Sequence, residues 1–274
     1  MEIYSLQDRS ADAWHRAIDQ HMSRAFSSVL CFAPDADWHE DHAYSRYVTG
    51  LPDPYGNIVW NAQLGDRPTD SAIAEILAPI TSCNAPALWI AGPTSNPSDL
   101  SERLLEHGFV SGHAVPAMAV DLGEVASAPI PPGATFEEVC DDEALASWID
   151  VVGVGSSILP EVAAAFGYWP KHLGLSSRAP MRAFLGMLDG TPVSSSMLFL
   201  DSGIAGIYCV ATKPEARGKG FGAAITTLPL LEARKAGYKV GVLQSSAMGE
   251  SIYKKIGFQT FGTIPIMFRP VSAD

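Results

Sequence analysis

Three alternate glycines and two cations stand together in Pro214-Glu215-Ala216-Arg217-Gly218-Lys219-Gly220-Phe221-Gly222, directly ahead of a segment with helical periodicity. This is chemistry for holding a phosphorylated ligand. The first turn of a helix leaves backbone N–H groups without partners and carries a partial positive charge, so an anion placed there gains hydrogen bonds and field together. Glycine lets the backbone approach the ligand or adopt a positive φ, while Arg217 and Lys219 supply charge-assisted contacts.

Two readings of the loop compete. It scans as G-x-G-x-x-A from Gly218 to Ala223, a loose dinucleotide-binding fingerprint. In that motif a strand runs straight into the glycines and a carboxylate closes the next strand about 20 residues on. Here Lys213-Pro214-Glu215-Ala216 intervenes, and the next strand candidate ends in Gln244-Ser245-Ser246. The other reading fits more of the chain. Arg217-Gly218-Lys219-Gly220-Phe221-Gly222 resembles the R-x-x-G-x-G signature of the GNAT superfamily of acyl-CoA-dependent N-acetyltransferases. Ile204 to Thr212 occupies the place of that family's central strand, and Ser251-Ile252-Tyr253-Lys254-Lys255-Ile256-Gly257-Phe258 is similar to its late helix, which commonly reads L-Y-x-x-x-G-F. The resemblance covers about residues 130–270.

The resemblance implies acetyl-CoA as co-substrate, no metal, and direct attack of a small-molecule amine on the thioester. It implies that backbone groups at Val210 and Thr212 hold the pantetheine arm, that the N–H groups of Gly218, Lys219, Gly220, Phe221 and Gly222 take the pyrophosphate, and that Tyr253 protonates the leaving sulfur. One departure stands out: many members carry a carboxylate on the central strand, and Ile204–Thr212 contains none. Water, Tyr208 or a carboxylate within Asp150–Glu161 is left to take the proton. Retained Tyr253 favours an enzyme, and the absent carboxylate favours a non-catalytic acyl-CoA-binding or sensing module. Cys209 is read as a small strand cysteine rather than a nucleophile, since no histidine lies near it in sequence. His39-Glu40-Asp41-His42 departs from H-E-x-x-H and is read as a polar loop rather than a metal cluster.

The elements that must position these groups are legible around them. Thr135–Val139 reads as a strand, Asp141–Val152 as a helix, Ile158–Leu173 as helix or loop, and Met181–Leu188 with Pro192–Leu200 as a strand pair turning at Asp189-Gly190. After the glycine loop, Phe221, Ala224, Ile225, Leu228 and Leu231 share one helical face. Pro229 should kink that helix by removing a hydrogen bond to Ile225, and Gly237 should cap it. Val240–Leu243 reads as a buried strand, Met248–Ile256 as a helix, and Phe258–Phe268 as the last strand. Phe166 to His172 offers aromatic surface for an acceptor, and Trp60 and Trp89 could add to it.

The 274 residues suit two domains: 1–125, a proline-rich linker at 126–133, and 134–274. The first half looks like a worn copy of the second. Gly108, Phe109, Pro116 and Met118 superpose on Gly257, Phe258, Pro265 and Met267 at a constant offset of 149, with Leu104 where Tyr253 stands. Ser71–Ile80 reads as its helix and Pro86–Ile90 as its strand, but Gly65–Asp70 lacks the alternate glycines, so this half should bind no CoA. The expected fold is thus mixed α/β, two GNAT-like domains each with a largely antiparallel sheet flanked by helices. Residues 1–125 hold 17 acidic and 6 basic residues, which leaves nucleic acid an unsuitable partner and an acidic surface that solubilises or attracts a cationic amine. No apolar run reaches the roughly 18 residues that span a bilayer, and Met1–Asp8 lacks the features of a signal peptide, so a cytoplasmic location is expected. Cys31, Cys83, Cys140 and Cys209 are scattered, suggesting neither a disulfide framework nor a zinc site.

Overall fold

A computed structural model describes residues 5–65 and 69–271. The first half contributes α1 (Ala11–Leu30), β1 (Asp37–Glu40), β2 (Ser45–Val48), β3 (Asn57–Trp60), α2 (Thr69–Ser82), β4 (Ala87–Ile90), α3 (Leu100–Glu106) and β5 (Val110–Asp121). The second contributes β6 (Ala134–Glu138), α4 (Asp142–Ser156), α5 (Pro160–Ala165), α6 (Pro170–Leu173), β7 (Met181–Leu188), β8 (Thr191–Asp201), β9 (Ile204–Thr212), α7 (Phe221–Lys235), β10 (Val240–Gln244), α8 (Glu250–Ile256) and β11 (Gln259–Arg269).

Among the described residues, eleven strands form one sheet in the order β1-β2-β3-β4-β11-β5-β10-β9-β8-β7-β6. The strand that ends each half is therefore inserted into the other half. The register between them is symmetric about Ile264 and Val115: Thr263 faces Pro116 while Pro265 faces Ala114, and Gln259 faces Ala119 while Phe268 faces Val110. Shifting either member of these pairs by 149 generates the other pair. The repeat expected from four identities is thus carried into the hydrogen-bonded ladder, and the two halves close each other's sheet rather than each its own.

Helices cover both faces. On one, α1 begins at Ser10, whose hydroxyl accepts from the Ala13 N–H at 3.2 Å. Its buried stripe of Trp14, Ala17, Ile18, His21, Met22, Ala25 and Val29 repeats every three or four residues. This stripe packs on β11, β5, β10 and β9, so a helix of the first half lies across strands of the second. With α4 and α5 it builds a single core that includes Trp60, Trp148, Trp169, Met197 and Val242. On the other face α2 and α3 cover the first half, and α7 and α8 the second, over separate cores.

Helix α7 runs unbroken through Pro229, although a proline interrupts the N–H to carbonyl ladder at that point. The carbonyl of Ile225 that loses its partner accepts instead from the Ser196 hydroxyl of β8, at 2.7 Å. Asp189 and Gly190 both have positive φ, as a tight hairpin turn requires. Trp89, whose ring is fully buried under α2 and α3, and Trp60 and Trp169, fully buried on the opposite face, are core residues and offer no acceptor surface. His39 and Glu40 belong to β1 rather than to a loop, since they pair with Arg46 and Ser45; His39 stacks on Tyr44 at 4.2 Å, and Asp41 closes the turn that follows by accepting from the N–H groups of Ala43 and Tyr44.

Candidate functional site

Strand β9 reaches the site by way of a bulge. Ser195 faces Ala211 but Met197 faces Tyr208, so one residue of β8 opposes two of β9, and Cys209 takes φ 50°. The Ser195 hydroxyl holds the bulge by donating to the Cys209 carbonyl at 3.0 Å. The extra residue shifts the alternation of side chains. Ile207 and Val210 pack on the α7 face, whereas Tyr208 and Cys209 both pack on the face of α1 and α4.

On its other side β9 runs parallel to β10 through two pairs alone, Ala205 with Gly241 and Gly206 with Val242. Beyond Gly206 the strands part, leaving a wedge with one edge of β9 uncovered. Such an edge presents backbone donors and acceptors to whatever enters.

The glycine loop closes the outer end of the wedge. Gly218 and Gly220 have φ of 73° and 93°, and Gly220 is the N-terminal boundary of α7 with no side-chain cap. Among the described residues, the backbone N–H groups of Gly218 to Ala223 donate to no protein acceptor, and the first to do so is that of Ala224, to Gly220 at 3.2 Å. Six adjacent donors at a helix start suit a pyrophosphate. Gly222 lies in the helix's first turn without a positive φ, and a Cβ there would make ordinary contact with Ile252 at 3.4 Å. Only two of the three glycines are therefore demanded by backbone conformation.

Val210, Thr212, Arg217, Gly218, Gly220, Phe221, Gly222 and Tyr253 line one cleft of about 890 Å3, and Lys219 stands exposed beside it. The Phe221 ring is buried against Phe136, so only its backbone faces a ligand. Arg217 is committed to the protein: Nε donates to Thr212 O at 3.1 Å and Nη2 to Gly155 O at 3.0 Å. It staples the loop to β9 and the end of α4. Sequence reasoning missed Lys255 and the linker Ala126–Pro129, both part of the lining. Arg234 fixes the linker's approach by donating to the carbonyls of Leu122 and Val125 at 3.1 and 3.0 Å. The sequence marks this stretch as a proline-rich linker, but its place on the cleft is set by these tertiary bonds.

Tyr253 sits on α8 against Gly249, where a Cβ would come within 2.7 Å of the ring. It is 7% exposed, and burial pushes its hydroxyl up to about 12, partly offset by hydrogen bonding with Thr226. The group therefore holds its proton at neutral pH. Burial likewise pushes the Cys209 thiol up to about 12, which removes the thiolate that a nucleophile needs. Asp150 pairs with Lys213 at 2.7 Å. Among the described residues no three His, Cys, Asp or Glu side chains are grouped to hold a metal, and no helix is long and apolar enough to cross a membrane.

The overall fold is shared with solved structures. A GCN5-related N-acetyltransferase from Kribbella flavida superposes with TM-score 0.66 at 17% identity, covering 93% of this chain and 96% of that one. The chain has the GNAT fold. A tandem GNAT protein from the clavulanic acid biosynthesis pathway covers 99% of this chain and 98% of its own, with TM-score 0.55 and 12% identity, so the doubled GNAT plan also has a counterpart. In sequence, a mycothiol acetyltransferase of Streptomyces avermitilis is 27% identical over 173 residues, 57% of this chain and 52% of that protein. The match thus spans about half the length of the curated relative. No family model matches the chain.

Proposed function

We propose that this GNAT-fold chain is an acetyl-CoA-dependent N-acetyltransferase that acts on a small-molecule amine, with residues 134–274 as the catalytic unit and residues 1–125 as a cofactor-free partner. The observation that carries the reading is the convergence, in one cleft, of a helix start with unsatisfied N–H groups, an uncovered strand edge and a protonated tyrosine. The cleft's volume and its donor set suit an extended, phosphorylated thioester. Backbone groups of β9 near Val210 and Thr212 would hold the pantetheine amides, and the N–H groups at the start of α7 would hold the pyrophosphate.

When bound, acetyl-CoA supplies an acyl carbon that takes the amine nitrogen and a sulfur that leaves as the C–S bond breaks. Tyr253 holds a proton at Oη for that sulfur and recovers one from solvent, which receives the proton the amine gives up. The relative's printed name, mycothiol acetyltransferase, supports a small molecule rather than a protein as acceptor. A second reading, a non-catalytic acyl-CoA-binding module, draws on the absence of any carboxylate from β9.

Thermal shift with acetyl-CoA, a longer acyl-CoA and NAD tests the cofactor half of the proposal. Acetyl-CoA at 100 times its Kd should stabilise the fold by about 2.7 kcal/mol. Gly220→Asp should abolish the gain, because it adds a side chain at positive φ and a negative charge beside the phosphates. Stabilisation by NAD and not by CoA compounds would overturn it.

A further inference from the structure

Opposite the cofactor cleft, the carboxylate missing from β9 is answered by a histidine from the other end of the chain. The bulge leaves Tyr208 half-buried on the α1 face of β9. There His21 of α1 brings Nδ1 to 2.7 Å from the Tyr208 hydroxyl, with the two rings parallel within 8°. Phe199 meets the imidazole in an edge-to-face arrangement, with ring centroids 5.2 Å apart.

The pairing is built into the backbone. Gly206 lies beneath both rings, and a Cβ there would stand 2.5 Å from His21 Cε1 and 2.5 Å from Tyr208 Cε2. This glycine is the last residue of β9 paired with β10, so the two rings sit where the strands begin to part. His21 is 0% exposed and its Nε2 has no partner. A buried polar atom without a partner is a cost that an apolar side chain on the same stripe would not incur. Burial, and after it the nearby Arg24, push the imidazole down to about 4, against the opposing pull of Asp201 and of the Ile204 backbone, which lies near the ring without completing a well-aligned hydrogen bond to Nε2, so the ring is neutral. A neutral imidazole has one nitrogen free to accept a hydrogen bond.

We propose that His21 is a positioning residue for the acceptor: its Nδ1 accepts the O–H of Tyr208 and so turns the phenolic lone pairs toward the gap past Gly206, where they receive an N–H of the incoming amine. On the acetyl-transfer reading the cofactor would enter the wedge from the cleft lined by α7 and α8, which would leave this face for the nucleophile. The first half of the chain, without a cofactor of its own, thereby contributes to acceptor binding in the second. The inference rests on the acetyl-transfer reading.

Release of free thiol from acetyl-CoA, measured with a panel of primary amines, tests it on the full chain. Wild type, Tyr208→Phe, His21→Leu, His21→Gln and the double variant Tyr208→Phe/His21→Leu are compared by separate KM values for amine and acetyl-CoA. Losing one neutral hydrogen bond should lower kcat/KM for the amine about tenfold in Tyr208→Phe and in His21→Leu, with the acetyl-CoA KM unchanged. The double variant should be no worse than the poorer single, and His21→Gln should recover part of the loss. Should His21→Leu fail to fold, Tyr208→Phe alone decides. An amine kcat/KM within about twofold of wild type in Tyr208→Phe overturns the proposal, as do multiplying effects or an equal change in acetyl-CoA KM. A wild-type protein that acetylates no amine removes the catalytic reading itself, an outcome visible before any variant is made.

Discussion

Each half of the sheet contains a place where two parallel strands start together and then part, and the two places end differently. In the second half β9 and β10 separate after Gly206, and the short loop Ser245–Gly249 leads directly into α8, leaving the wedge open. In the first half β3 and β4 pair at Ile58 with Leu88 and Val59 with Trp89 and then separate. There the chain folds back into its own wedge. The Asn96 N–H donates to Ala62 O at 2.9 Å and the Leu64 N–H to Asn96 O at 2.8 Å, closing a parallel bridge between Gln63 and Asn96.

The length of one loop makes the difference. Ala91 and Ser245 occupy matching places, each donating to the equivalent proline carbonyl of the neighbouring strand, Pro265 and Pro116. Their offset is 154, whereas Pro116 and Pro265 differ by 149, so the first half carries five additional residues in this stretch. Those residues supply the backbone that covers the edge of the β3 extension, the edge that in the second half is free for a ligand. Asp19 of α1 locks the inserted segment by accepting from both the N–H and the hydroxyl of Thr94, with Gly92 packed against its carboxylate. The same splayed strands thus make an open cleft or a sealed core according to what satisfies the exposed backbone. Even the distortion after the parallel pair recurs: Asn61 has φ 54° and Cys209 φ 50°.

The sharpest way to break the comparison is at Tyr253, whose counterpart in the sealed wedge is Leu104. Tyr253→Phe keeps the ring on Gly249 and Phe258 and removes only the hydroxyl. General acids contribute about 10²- to 10⁴-fold, so kcat should fall in that range while Tm and acetyl-CoA affinity hold. A change below about threefold would return the tyrosine to packing and leave the cofactor loop as the only catalytic evidence.

The plug is the next target. A Cβ at Gly92 would stand 2.1 Å from Asp19 Oδ1, so Gly92→Ala must displace either the carboxylate or the inserted segment. Overpacking of this kind costs about 1–3 kcal/mol, visible as a lower Tm. Titration calorimetry should still give one CoA per chain for this variant and for wild type, because the first half has neither alternate glycines nor a tyrosine at position 104. Two CoA sites in wild type would show that the sealed wedge opens to ligand and would refute the contrast.

What the sequence revealed of this contrast, and what it hid, follows from the range of the interactions. The glycine loop at a helix start, β9, the helix that carries Tyr253 and the repeat were legible because glycine placement and local periodicity are properties of contiguous residues. Strand exchange between the halves was not, since Phe258–Phe268 reads as an ordinary final strand, Val110–Asp121 went unread, and the partners of both are chosen by tertiary packing. Helix α1 went unread although Trp14, Ile18, Met22, Ala25 and Val29 mark its face, and with it went His21, a lone histidine on an apolar stripe that ordinarily signals nothing. The insertion at Gly92–Asn96 went unread, because its role as a plug depends on an edge about 30 residues earlier in the chain.

The smallest expected effect lies at Asp19, and it sharpens what holds the plug. Burial raises the pKa of this carboxyl above its usual value, and the hydrogen bonds from Thr94 offset the rise only in part. A carboxyl whose folded pKa lies above its unfolded value binds its proton more tightly in the fold. Its contribution to stability is therefore greatest below about pH 4 and is lost as pH rises through the raised folded pKa. Asp19→Asn has no proton to lose, and its amide oxygen still accepts from the Thr94 N–H. The Tm difference between this variant and wild type should accordingly shift in the variant's favour from about pH 4 toward neutrality, by a few degrees at most in a chain of this size. A difference independent of pH would mean that Asp19 is ionised at no cost, and that the two hydrogen bonds from Thr94 compensate fully for its burial.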